Sequence, residues 1–168
     1  MRFHRFLRPE CIRIGMASDA LEEPSEELPE ERREWSEKES VIEELVEVLA
    51  ASGEVANVSK LQRDLLNVEK RTTTGIGDGI AIPHVRTLRE RTFVMGFCRS
   101  ERGLRYASVD AEPVRLFFPM IAPPHDDKLY HRVLGDLATI LLEPGCRELL
   151  EAAETPDEVI WGLQTFAP

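Results

Sequence analysis

The chain has 168 residues, with 21 basic and 31 acidic side chains and a formal net charge of −10. Residues 19–44 hold 12 acids and 3 bases, so they carry nearly all of that charge and the remainder is close to neutral. This balance excludes an overall basic field that would gather nucleic acid, and no apolar run approaches the ~20 residues that span a bilayer, so no membrane insertion is expected.

One domain over 1–168 is the expectation at this length. The first ten residues, MRFHRFLRPE, are basic but lack the apolar stretch of a secretory signal, which points to a cytoplasmic chain. Cys11, Cys98 and Cys146 are odd in number and far apart, as reduced and buried thiols would be.

Residues 11–15 (CIRIG) alternate apolar and polar up to a glycine, the pattern of a short first strand. Residues 19–35 are acidic and broken by Pro24 and Pro29. They read as a solvated insertion or loop with room for flexibility at its centre, or as a tether for a basic partner. Ser36 and Glu39 have the spacing of a capping box. Val41, Ile42, Leu45, Val46, Val48 and Leu49 follow at helical period, with Gly53 able to close the helix. A second, short helix is expected from Ser59, paired with Gln62, with Leu61, Leu65 and Leu66 on its apolar side.

Residues 79–83, 92–98 and 113–122 read as strands. The last, PVRLFFPMIA, is apolar enough to be covered on both faces, and Pro119 within it predicts a bulge or an early end. Helical period returns from Leu129 to Leu142 and again over Cys146–Ala153. Thr155-Pro156-Asp157-Glu158 then supplies an N-cap, a proline at the first helical position and first-turn acids for a last helix. Interleaved helices and strands define an α/β class, a mixed sheet with helices on both faces.

The segment most suggestive of chemistry is Thr72-Thr73-Thr74-Gly75-Ile76-Gly77-Asp78-Gly79-Ile80-Ala81-Ile82-Pro83-His84. Alternating glycines allow tight turns and bring backbone N–H groups close to a ligand, as phosphate binders require. It is neither of two common nucleotide loops. No Lys follows as the Walker motif demands, and Ile80 stands where G-x-G-x-x-G needs its third glycine. Two readings remain open: a phosphate cradle built from Thr74, Gly75, Gly77, Asp78 and Gly79, or a glycine-rich hairpin turn entering a strand. His84 adds a nucleophile. An imidazole with one nitrogen held by a backbone carbonyl presents the other to a phosphoryl group.

The run TGIGDGIAIPH resembles the active-site signature of the enzyme IIA domains of the phosphoenolpyruvate-dependent sugar phosphotransferase system, in its fructose/mannitol class. That class includes the nitrogen-regulatory type. The resemblance extends from about Leu7 to Leu163, through Pro9-Glu10-Cys11-Ile12 and the terminal PDEV run, and leaves only the acidic stretch outside. It implies an α/β sandwich and phosphorylation of His84 by a phosphohistidine carrier protein. The group would pass to a IIB domain, or its presence would control a regulatory target protein. No metal or other cofactor is implied. Three positions depart from the pattern. Val68 stands where the family carries an Arg, Tyr130 where it carries a second active-site His, and Val85 where a small residue follows the Pro-His. Arg71 (or Arg63) and His131, one place off, are the candidate replacements. A non-catalytic regulatory binding module on the same fold is therefore the alternative.

Two further groupings invite function. His125-Asp126-Asp127 with His131 lacks metal-ligand spacing and reads as a helix-capping region. Arg86, Arg89, Arg91, Arg99, Arg102 and Arg105 form a basic stretch. It reads either as solvated charge or as a patch beside the docking face that steers an acidic partner. No aromatic residues are interleaved as nucleic-acid binding would require.

Overall fold

The computed structural model describes residues 2–87 and 92–168. After a 3-10 turn at Phe3–Phe6, the elements are β1 (Leu7–Ile14), a second 3-10 turn (Ala17–Ala20), α1 (Glu30–Ala50), α2 (Val58–Arg71), β2 (Gly75–Gly77), β3 (Ile80–Ala81), β4 (His84–Arg86), β5 (Val94–Leu104), β6 (Val114–Phe117), β7 (Met120–Ala122), α3 (Asp127–Leu141), α4 (Pro144–Ala152) and α5 (Pro156–Phe166). No described helix is long and apolar enough to cross a membrane.

The strands form one mixed, open sheet built on β5. On one side β1 runs parallel to it, with Ile12 opposite Phe97. On the other, β6 and β7 pair antiparallel with successive parts of β5. β3 lies parallel to β6, β4 parallel to β7, and β2 folds back antiparallel on β3. The apolar run 113–122 thus becomes two strands in line, parted at Phe118-Pro119. Proline has no N–H for the ladder, and the Pro119 carbonyl accepts the Gly96 amide across the break, at 2.8 Å.

Both faces are covered, as the α/β reading expects. Val41, Ile42, Leu45 and Leu49 of α1 pack with Leu61 and Leu65 of α2 against Cys11, Val94, Cys98 and Phe117. Val133, Leu137 and Ile140 of α3, Leu150 of α4 and Val159 and Leu163 of α5 pack against Met95, Phe97 and Phe118. Neighbouring residues of β5 enter opposite cores because successive side chains of a strand point to opposite faces. All three cysteines are free and buried.

Three boundaries differ from the expectation. α1 starts at Glu30, so Ser36 lies inside the helix and forms no capping box; Pro29 is the N-cap. Tertiary partners extend the helix. The Glu37 carboxylate accepts the Arg105 amide and pairs with Arg102, and Glu30 pairs with Arg105. Acids in the first turn also suit the positive helix N-terminus. α2 is capped by Asn57, whose Oδ1 accepts the Lys60 amide at 3.0 Å, two residues ahead of the expected Ser59. β5 runs on to Leu104 through polar residues that have partners: Ser100 donates to Asp19, and Arg99 donates to the carbonyls of Leu150, Glu151 and Ala153. The last helix starts as expected, with Thr155 accepting the Glu158 amide at 3.2 Å.

Candidate active site

β3 ends at Ala81, and Ile82-Pro83 carries the chain into β4, where the Pro83 carbonyl accepts the Met120 amide at 2.8 Å. This pins the start of β4 to β7 and fixes the position of His84. The His84 ring turns back so that Nδ1 lies 2.5 Å from the Ile82 carbonyl oxygen. An imidazole in that contact donates Nδ1–H and carries its lone pair on Nε2. The tautomer follows from this partner, as the sequence suggested it would.

His84 is half-buried in a pocket of about 270 Å³ lined by Val68, Thr72, Thr73, Thr74, Ile76, Ile82, Leu134 and Ala138. The lining is largely apolar, with threonine hydroxyls on one wall. The Tyr130 ring, only 9 % exposed, packs against the His84 ring with centroids 5.9 Å apart. Arg86 lies over the Tyr130 ring, its guanidinium carbon 5.0 Å from the centroid. Burial raises the Tyr130 hydroxyl above its usual pKa, and the Arg86 charge partly offsets this.

The threonine wall is fixed from behind. Glu69, buried at the end of α2, takes an ion pair from Lys38 at 2.7 Å and hydrogen bonds from the Tyr106 hydroxyl at 3.0 Å, the Thr74 hydroxyl and the Thr74 amide. The Lys38 ammonium also reaches the Thr73 hydroxyl at 3.4 Å and sits over the Tyr106 ring. Burial, and then the Glu69 charge, push the Tyr106 hydroxyl well above its ordinary pKa.

The glycine loop forms the hairpin turn between β2 and β3. Three of its amides have partners within the chain: Gly75 N–H donates to Thr73 Oγ1, Gly77 N–H to Ser108 Oγ and Asp78 N–H to Asp110. The Asp78 carboxylate lies 3.5 Å from Arg147, and the Gly79 carbonyl accepts the Arg115 and Leu116 amides. Gly75 is required by close approach, since a Cβ there would sit 2.8 Å from Ser108 Oγ. The Asp78 and Glu112 amides hold the Asp110 carboxyl below its ordinary pKa. Of the five cradle candidates only Thr74 lines the His84 pocket. Ser108 and Asp110, distant in sequence and unmarked by any motif, are the residues that shape the turn.

The other candidates separate as follows. His131 is exposed, and its neighbour Tyr130 takes the place against His84, because one residue along α3 turns the side chain by about 100°. Arg71 is exposed at the end of α2 and lines a separate cleft of about 720 Å³ with Lys60, Lys70, Val85 and Arg86, not the His84 pocket. Val68 contributes to both hollows. Asp126 caps α3 by accepting the Leu129 amide at 3.0 Å, and Asp127 pairs with Arg86.

The arginine stretch does not form one patch. Arg99 caps the carbonyls that end α4, and Arg102 and Arg105 neutralise α1 acids. Arg86 stays beside His84, and Arg89 and Arg91 lie outside the described residues. The site thus combines an oriented imidazole, an apolar hollow before it and a guanidinium one ring away.

The model of the family "Phosphoenolpyruvate-dependent sugar phosphotransferase system, EIIA 2" matches residues 26–164. Among curated relatives, the PTS system fructose-specific EIIABC component of Bacillus subtilis is 36% identical over 127 residues, covering 76% of this chain and 20% of the relative. The chain thus spans about a fifth of that protein's length. The PTS system fructose-specific EIIA component of Haloferax volcanii is 31% identical over 122 residues, covering 73% of this chain and 79% of the relative. Among solved structures, the nitrogen regulatory protein IIA-Ntr from Neisseria meningitidis superposes with a TM-score of 0.79 over 97% of this chain and 99% of that one. At 23% identity the likeness is one of fold.

Proposed function

The chain belongs to the phosphoenolpyruvate-dependent sugar phosphotransferase system EIIA 2 family, and from that premise we propose that His84 Nε2 is its phosphoryl acceptor. The donor is a phosphohistidine carrier protein, and the receiver is a IIB domain or, in regulation, a target protein that reads the phosphorylation state. The work is done in the cytoplasm by the whole of 1–168 as one IIA domain. The carrying observation is the Nδ1 contact with the Ile82 carbonyl, which directs the lone pair of Nε2 outward from a fixed strand end.

In the transfer, the Nε2 lone pair forms a bond to phosphorus as the bond to the donor imidazole breaks and its electron pair returns to that ring. Nδ1 keeps its proton on the Ile82 carbonyl throughout, so no separate base is needed. Phosphoryl transfer depends mainly on positioning and on the charge of the three oxygens, and both demands fall on residues around His84.

Incubation with phosphoenolpyruvate and the general phosphotransferase proteins, read by intact mass, tests the assignment. The wild type gains one acid-labile phosphoryl group and His84→Ala gains none. A folded wild type that gains nothing from competent donors overturns it. In that case the second reading stands, a regulatory binding module, which the apolar lining of the His84 pocket and the ring of Tyr130 beside it favour.

A further inference from the structure

We propose that Arg86 is the charge-stabilising residue of the phosphorylated site, exchanging its resting partner Asp127 for the phosphoryl oxygens on His84. This rests on His84 being the acceptor. It concerns a residue outside the glycine motif, and one that sequence reasoning placed in a diffuse basic stretch.

Residues two apart on a strand project from the same face, separated by roughly 6.5 Å along the backbone. His84 and Arg86 are such a pair on β4. Both side chains meet the Tyr130 ring. The ring serves as a platform, and a guanidinium lying on an aromatic face can slide without losing that contact.

Lys38 and Arg86 each reach a residue beside His84, Lys38 the Thr73 hydroxyl and Arg86 the Tyr130 ring. Lys38 is fully committed: its side chain is 3 % exposed, and it is neutralised by Glu69, 1 % exposed, in a closed network. Arg86 is not. Its Nη2 donates to the Pro124 carbonyl and to Asp127, yet Asp127 is 68 % exposed, and Nε of Arg86 is buried with no hydrogen-bond partner among the described residues. Exposed ion pairs of that kind contribute little. A phosphoryl group brings close to two negative charges and three strong acceptor oxygens. It therefore competes well with one solvated carboxylate for the same guanidinium, which can offer two parallel donors to phosphate.

Arg71, the candidate replacement for the missing cation at Val68, lines the neighbouring cleft together with Arg86, but of the two it is Arg86 that lies over the Tyr130 ring packed on His84. The charge at this site thus comes from the nucleophile's own strand and not from α2.

The test uses potassium phosphoramidate, a small donor that phosphorylates histidine without a carrier protein, on the full chain and on Arg86→Gln, Arg86→Lys and Asp127→Asn. Rate of labelling is read by intact mass and the ionisation of the phosphohistidine by 31P NMR as a function of pH. The expected result is a phosphoryl group that ionises at lower pH in the wild type than in Arg86→Gln, with Arg86→Lys between them. Labelling falls about tenfold in Arg86→Gln and rises in Asp127→Asn, where Arg86 has lost its competitor. Circular dichroism confirms that each variant is folded. Identical 31P titrations in the wild type and Arg86→Gln overturn the proposal, as does a folded wild type that phosphoramidate fails to label at His84. If phosphoramidate labels the wild type in the Arg86-dependent way while the carrier protein does not, the role of Arg86 stands and the carrier-fed reading falls.

Discussion

Lys38 and Glu69 stand 31 residues apart in sequence and meet in the interior, on α1 and α2, with Thr74 and Tyr106 closing the remaining hydrogen bonds. A buried pair of this sort is costly to break because the surviving charge is left without a partner. Lys38→Met should therefore destabilise the fold by about 3–5 kcal/mol, measured by urea unfolding. Lys38→Met combined with Glu69→Leu should recover most of that loss, since no lone carboxylate then remains. A single variant as stable as the wild type would show that the pair is not buried in solution. Nothing in the sequence announced this pair. Lys38 sits in an acidic run that reads as solvent-facing, and Glu69 in a helix whose apolar side is marked by its leucines. His84, by contrast, was legible. It ends a glycine-rich run with a proline before it, and the chemistry of an oriented imidazole requires only the local chain. Its neighbours Tyr130 and Arg86 were visible as residues but not as a stacked pair, because that contact depends on how α3 crosses β4.

At the scale of elements, helix starts divide sharply into those that local chemistry decides and those that packing decides. Thr155-Pro156 and the break at Pro119 fall where the residues say they should, for a proline fixes its own φ and lacks a donor whatever surrounds it. Ser36 does not start α1, because Glu30 and Glu37 find arginines on and just beyond the end of β5 and carry the helix a turn and more further back. The two caps can be told apart by mutation. Asn57→Ala removes the acceptor of the Lys60 amide and should cost about 1 kcal/mol, whereas Ser36→Ala should change stability by less than about 0.5 kcal/mol. Equal losses in thermal unfolding would contradict the observed boundaries. Part of the acidic stretch is engaged within the molecule as well. Asp19 accepts from Ser100 and from the Glu101 amide, and Glu44 accepts the Ala17 and Ser18 amides, so several of its charges bind the chain's own turns and arginines.

At the scale of the whole molecule, the layers pack closely at Gly96 of β5, where β1, α1 and the break between β6 and β7 converge. A Cβ on Gly96 would lie 3.1 Å from the Cys11 carbonyl and 3.2 Å from both Pro119 and Val48. Those neighbours belong to different elements and cannot all give way together. Gly96→Ala should therefore lower stability by about 1–3 kcal/mol, with a lower Tm and unchanged far-ultraviolet dichroism; a Tm equal to the wild type would mean that the layers are looser than described. The α/β class and the covering of both faces could be read from alternating patterns, but the order of strands could not, because pairings such as Leu7 with Met95 join distant parts of the chain. That parallel pairing bears on biosynthesis. The first strand emerges from the ribosome long before β5, its partner among the described strands, and at ~5–20 residues per second it waits for seconds with its apolar face uncovered. Closing so long a loop also carries an entropic cost that grows with its length. The strand made first thus waits on β5, and a nascent chain halted before Met95 holds a strand that any cellular chaperone would find open.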